Sequence, residues 1–139
     1  MKRHSAVIDT NVLYAGLYSA LGASFQVLRL IENGDLTPLL STTLLFEYEE
    51  VLRRHQELLK LSDRAVNSVL DGICRHGECR RIHFLWRPQL SDPKDDHILE
   101  LAVAAESADI VTHNVKDFAL ADAFGVRIIR PGKLLGELK

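Results

Sequence analysis

An α/β fold, a five-stranded parallel sheet flanked by helices on both faces, is predicted by three features of the sequence. Five short apolar or β-branched runs alternate with segments whose apolar residues recur at helical spacing. Glycines and small polar residues mark the junctions between them. Runs that are apolar without polar alternation suit strands covered on both sides, the usual state of a parallel sheet.

Residues 5–8 form the first run, which ends at Asp9. Phe25, Leu28 and Ile31 then recur at helical spacing, and Gly34 closes that helix before a second strand at 36–40. Ser41, Thr42 and Thr43 offer an N-cap to a helix whose apolar row is Leu44, Leu45, Tyr48, Val51 and Leu52. A further row follows in Ala65, Val66, Val69, Leu70 and Ile73, after a short apolar, basic stretch. These two helices read as an antiparallel hairpin standing off the sheet. Weak alternation over 81–86 predicts the third strand. Asp92 followed by Pro93 reads as an N-cap with proline at the first helical position, ahead of Ile98, Leu101, Ala102 and Ala105. The β-branched runs 109–112 and 126–129, the latter preceded by Gly125, supply the last two strands.

With 139 residues, the chain is expected to form one domain with a core that needs no disulfide. At 47% hydrophobic and 26% charged, it has the composition of a folded globular protein and not of a disordered one. No apolar run is long enough to span a bilayer, and the start, MKRHSAVIDTN, is too short in apolar residues for a signal peptide. Two cysteines without an export signal predict free thiols and a cytoplasmic location, with no membrane partner. The net charge of −2 conceals an asymmetry: residues 53–87 hold eight Lys or Arg against four Asp or Glu, a local balance of +4. Such a segment could neutralise phosphates or be a set of solvated helix faces.

Four acidic positions, far apart in sequence, fall at predicted strand ends or at the starts of the helices that follow. Asp9 ends the first strand in VIDTN, with Thr10 and Asn11 placed to hold it, although an aspartate there could also cap the next helix. Glu47 is the acid of its helix with apolar residues at Leu44, Leu45, Phe46, Tyr48 and Val51 around it, so it is expected to point inward. Asp95 shares a helical row with Ile98, Leu99 and Ala102, whereas Asp96 aligns with Glu100 and is expected to be the more exposed. Asp117 follows the fourth strand across a loop containing Asn114. Carboxylates gathered at the carboxyl edge of a sheet repel one another unless a cation compensates, which suggests a site for a hard divalent ion such as Mg²⁺.

The ordered set VIDTNVL, STTLLFEYEEVL, DPKDDHILELA and DIVTHNVKDF resembles the PIN domain, the nuclease fold of VapC-type toxins, over nearly the whole chain. The resemblance implies that Asp9, Glu47, Asp95 and Asp117 form an acidic quartet supported by Asn11, Thr112 and Asn114. Many members have an aspartate where this chain has Asn114, so either Asn114 or Asp117 completes the set. It further implies hydrolysis of single-stranded RNA with Mg²⁺ or Mn²⁺, Asp9 and Asp95 being the principal ligands. A cognate antitoxin protein and a homodimer belong to the same implication. Arg53 and Arg54, in the basic segment, are candidate RNA contacts.

Other residues have simpler readings. Cys74, His76, Cys79 and His83 match no common zinc spacing. His97 and His113 are expected to be surface or hydrogen-bonded histidines, and Trp86, Tyr14 and Tyr18 to serve a core or an interface rather than stack on bases. Two rival functions fit the same fold class: a PIN-like scaffold that binds RNA or a protein without catalysis, and a phosphorelay receiver. The receiver pattern needs paired acids after the first strand and a lysine after the fifth, where this chain has DTN and Arg130-Pro131.

Overall fold

The computed structural model describes residues 4–82, 95–119 and 121–138. Its centre is a five-stranded, wholly parallel sheet in the order β3-β2-β1-β4-β5. From β1 (His4–Ile8) the chain passes through α1 (Thr10–Tyr18) and α2 (Ala23–Glu32) to β2 (Leu36–Leu40). It continues through α3 (Thr42–Arg54), the short α4 (Gln56–Leu59) and α5 (Asp63–His76) to β3 (Glu78–Cys79). It then crosses back to the other side of β1, through α6 (Asp96–Ala104), β4 (Asp109–Val111), β5 (Ile128–Ile129) and α7 (Pro131–Leu138). The strand order thus reverses between β1 and β4, and in such sheets the carboxyl ends of the strands at this point are the usual place for a ligand.

The side-chain period of two splits the core into halves. Val7, Leu39 and Ile110 enter one cluster with Leu44, Tyr48 and Leu52 of α3 and Ile98 and Leu101 of α6. Ala6, Ile8, Val111 and Ile129 enter the other with Val27 and Ile31 of α2 and Leu134 of α7. The register Val7↔Ile110 and Ile8↔Val111 keeps these sets in line across the central pair. A slip of one residue would turn every one of them to the wrong face.

Several expectations are corrected. The helices α3 and α5 do not stand off the sheet, since Leu44, Tyr48 and Leu52 of α3 and Val66 and Ile73 of α5 lie in the core with Val7. The third strand is Glu78–Cys79, both residues exposed, and Arg80–Ile82 are not strand; residues 83–86 of the expected strand lie outside the described residues, as do Asp92 and Pro93. A two-residue exposed strand carries no hydrophobic pattern for a sequence to display. The helix α1 has no single apolar stripe because Val12 faces one core half and Leu13 the other. Elsewhere the punctuation acts as expected: Ser41 accepts the Leu44 amide as N-cap, and Gly34 and Gly125 take φ of +84° and +74°.

Gly77 explains where β3 begins. It ends α5 beside β2, and a Cβ there would lie 2.8 Å from the Ile73 carbonyl oxygen and 3.0 Å from that of Pro38. Backbone cannot yield as a side-chain tip can, so Gly77→Ala should cost about 1–3 kcal/mol. Gly72, inside α5 with nothing within 4 Å of a built Cβ, is the contrast. There Ala should stabilise by about 0.5–1 kcal/mol, since Ala is the better helix former. Thermal unfolding of the two variants should thus move Tm in opposite directions; a neutral Gly77→Ala would refute the close-approach account.

Candidate active site

Asp9 sits at the switch point. Its backbone amide donates to the Val111 carbonyl at 2.9 Å, continuing the β1–β4 pairing one step past the strand. The residue is 6% exposed, and although it is the N-cap of α1 its side chain makes no cap hydrogen bond. Instead its Oδ2 accepts from the buried Thr112 hydroxyl at 2.7 Å and from Asn11 Nδ2 at 3.2 Å. The simple capping role is therefore excluded.

Thr112 and Asn11 are themselves fixed. Thr112 Oγ1 accepts from the Asn114 amide at 3.0 Å and from Asn11 Nδ2 at 3.3 Å, while the His113 amide donates to Asn11 Oδ1 at 3.3 Å. The loop after β4 is clamped from two more elements, because His113 Nε2 bonds Ser24 Oγ at 2.6 Å and Arg130 Nη1 donates to the His113 carbonyl at 2.7 Å. Burial, with the nearby Arg130 charge, holds the His113 imidazole below its ordinary pKa.

Glu47 points inward from the second turn of α3, as its apolar neighbours predict. Its carboxylate accepts from the Thr10 hydroxyl and, at 3.1 Å, from His97 Nε2. The next residue, Tyr48, is 1% exposed and donates its hydroxyl to the Ile8 carbonyl at 2.5 Å. One turn of α3 thus reaches both the end of β1 and the first turn of α6. Sequence reasoning misses Thr10 and His97 as partners of Glu47. The usable signal is a histidine within an apolar helix, since a buried imidazole needs a hydrogen-bond partner.

The remaining sequence-predicted residues are less closely joined. Asp95 is the half-buried N-cap of α6, two residues before His97. Asp96, expected to be the more exposed, is 1% exposed, and so is Glu100. The helical-row rule fails because Asp96 to Glu100 and the two residues after them are all buried, leaving α6 no outward face there. Asp117 is half-buried in a 3-10 turn, Val115–Phe118, its amide bonded to the Asn114 carbonyl. Among the described residues no hydrogen bond joins its carboxylate to Asp9 or Glu47. Arg53 and Arg54 lie in the last turn of α3, away from this edge, ion-paired with Glu49 and Glu50. Among the described residues no helix is long and apolar enough to cross a membrane, and Cys74 and Cys79 are free thiols.

The electrostatics separate the two gathered acids. Burial raises the pKa of Asp9, helped by the charge of Glu47, and the hydrogen bond from Thr112 only partly offsets this. For Glu47 burial also pushes upward, but the hydrogen bonds from His97 and Thr10 outweigh it and hold the carboxyl below its ordinary range. Two carboxylates that feel each other's charge, one of them nearly out of water, form a hard-oxygen donor set suited to Mg²⁺. That ion is commonly held by one or two carboxylates together with water and phosphate oxygens. Among the described residues no three His, Cys, Asp or Glu side chains are grouped as a metal site, so the fit rests on this pair.

Comparison with known proteins adds two findings. The family model described as "PIN domain" matches residues 5–116. A chain in the crystal structure of VapBC2 from Rickettsia felis, bound to a DNA fragment from their promoter, has a similar fold: TM-score 0.60 and 16% identity, covering 91% of this chain and 98% of that one. No curated protein matches the sequence.

The raised Asp9 pKa has a measurable consequence for the metal-free protein. A carboxyl whose folded pKa exceeds its unfolded value binds protons more readily when folded, so its contribution to stability falls as pH rises through that window. At neutral pH its charge is a net cost, and Asp9→Asn should raise Tm in the presence of chelator. The gain should shrink as pH falls towards the ordinary carboxylate range. A variant less stable than wild type at neutral pH would show that the Thr112 and Asn11 hydrogen bonds outweigh the burial of charge.

Proposed function

Because the chain belongs to the PIN domain family, we propose that it is a metal-dependent endoribonuclease hydrolysing phosphodiester bonds in single-stranded RNA, and the toxin of a toxin–antitoxin pair. The observation that carries this reading is the buried Asp9 carboxylate, held by Thr112 at the switch point and within charge reach of Glu47. A buried, mutually repelling acid pair is costly to a fold and useful to a hydrolase that employs Mg²⁺ or Mn²⁺.

In this reading Asp9 and Asp95 are the principal ligands, Glu47 ligates through water or orients the nucleophile, and Asp117 completes a second, weaker site. When bound, the divalent ion supplies Lewis-acid activation of water and offsets charge developing on the phosphate. The protein's own part is positional. Thr112 and Asn11 aim the Asp9 carboxylate, Asn114 fixes Thr112 through its amide, and Thr10 and His97 hold Glu47. No serine or cysteine nucleophile is needed. The similar fold seen in VapBC2 supports an antitoxin partner, and a homodimer in the cytoplasm completes the proposal.

Cleavage of a panel of single-stranded RNAs, with Mg²⁺ or Mn²⁺ and with chelator, tests the reading. Wild type should cut only with metal and should melt at a higher temperature when metal is present, since the ion binds the native state. Asp9→Asn should remove the metal-induced rise and lower cleavage by more than about 100-fold. Asp95→Asn and Asp96→Asn compared side by side decide which acid of α6 acts: loss with Asp95 alone supports the assignment, and loss with Asp96 alone transfers it. Absence of both cleavage and metal stabilisation in wild type would leave a binding scaffold.

The basic stretch is tested separately. If Arg53 and Arg54 exchange their glutamate pairs for phosphates, the double Ala variant should bind RNA more weakly, with a shallower salt dependence. Unchanged affinity would make them ordinary surface ion pairs.

A further inference from the structure

A polar cleft adjoins the acid pair through His97. It has a volume of about 500 Å³ and is walled by Ser41, Thr42 and Thr43 at the start of α3, by Arg80 and Arg81 after β3, and by His97 of α6. Cys79, Ile82 and the buried Glu100 complete its wall. Three observations meet there.

The first is the N-terminus of α3, a helix of 13 residues. Ser41 satisfies the Leu44 amide, but the Thr42 and Thr43 amides have no acceptor among the described residues, and both side chains are exposed. Unpaired amides at a helix start, with the positive end of its dipole, suit an anion. The second is charge. Arg81 is exposed and makes no ion pair among the described residues, and Arg80 pairs with Glu78 through Nη2 at 2.8 Å while its buried Nε has no partner among them.

The third is independent of both and comes from His97, which is 4% exposed. Its Nε2 bonds Glu47 Oε1, and a carboxylate only accepts, so Nε2 carries the proton. The other ring nitrogen, Nδ1, is buried without a hydrogen-bond partner among the described residues. A hydroxyl group, which both donates and accepts, can pair with such a nitrogen. A buried nitrogen of this kind in a cleft wall is uncommon in a folded protein and is open to a partner that reaches it from the cleft.

We propose that this cleft is a subsite for the ribonucleotide flanking the scissile bond: its backbone phosphate sits on Arg80, Arg81 and the α3 amides, and its ribose 2′-hydroxyl pairs with His97 Nδ1. RNA carries a hydroxyl beside each phosphate and DNA does not. The subsite rests on the reading of the acid pair as the cleavage centre, because His97 joins the two through Glu47. It contributes no sequence readout, since phosphate and ribose contacts position a strand without reading its bases.

Binding separates this inference from the nuclease reading. Fluorescence anisotropy of labelled RNA and DNA oligonucleotides of one sequence, in chelator so that nothing is cut, would be measured across a salt series. Wild type should prefer RNA. The Arg80→Ala, Arg81→Ala double variant should weaken binding of both strands and make the slope of log K against log salt shallower by about 0.7 for each phosphate that is no longer neutralised. His97→Leu should reduce the preference for RNA over DNA. Retained circular dichroism and melting behaviour would exclude misfolding, and the single Arg81→Ala variant, at an exposed position, gives a milder test of the same slope. Wild type that binds both strands equally, or an arginine variant with unchanged affinity and slope, overturns the subsite even if cleavage is observed. RNA binding that weakens as expected in the variants, without cleavage by wild type, keeps the cleft as an RNA-binding site but removes the nuclease and with it the scissile bond the cleft would flank.

Discussion

A carboxylate taken almost out of water must be held by donors, and the Asp9–Thr112 hydrogen bond meets that requirement between two strands that are distant in sequence and adjacent in the sheet. The bond exists because β1 and β4 pair in parallel with Ile8 opposite Val111, so that the next residue of each strand emerges at the same edge. Any other register would move Thr112 away from Asp9. The same register places Val7 and Ile110 on one face and Ile8 and Val111 on the other, so the two core halves and the acid site depend on one alignment.

Around this bond the helices act as braces. Tyr48 fixes α3 to the Ile8 carbonyl, immediately before Asp9, and its neighbour Glu47 is thereby delivered to Thr10 and His97. Asn11, in the first turn of α1, links Asp9 to the loop after β4, which Ser24 and Arg130 hold from behind. Four helices and two strands therefore converge on a region only a few residues across. The arrangement is polar and tightly bonded, a condition for holding acids in fixed geometry. Its energetic tension lies in Asp9, which burial and Glu47 both push towards the protonated form.

The contrast between the two acids bears on their roles. Glu47 keeps its charge through hydrogen bonds from Thr10 and His97, whereas Asp9 is the group whose charge the fold stabilises least. A cation arriving at the pair would gain most from Asp9, and Glu47 would remain tied to its partners. The histidine that holds Glu47 also walls the neighbouring cleft, so the acid pair and the basic rim of Arg80 and Arg81 are joined by one imidazole.

Sequence by itself determined the fold class, because the alternation of short apolar runs and helical periodicities is a local property imposed by strand and helix geometry. It also determined a helix start within residues 41–43, the stops at Gly34 and Gly125, and the inward turn of Glu47 from the apolar residues on either side of it. It did not determine the place of β3, whose two exposed residues owe their pairing to the close approach of Gly77 to β2. Nor did it separate Asp95 from Asp96, since a helix covered on all sides erases the phase that a one-sided rule needs. The bonds from Thr10 and His97 to Glu47 and from Thr112 to Asp9 span 37 to 103 residues of chain. Only tertiary structure could decide them, because a side chain's hydrogen-bond partner is set by which elements pack together, and that distance in space is not written in any local pattern.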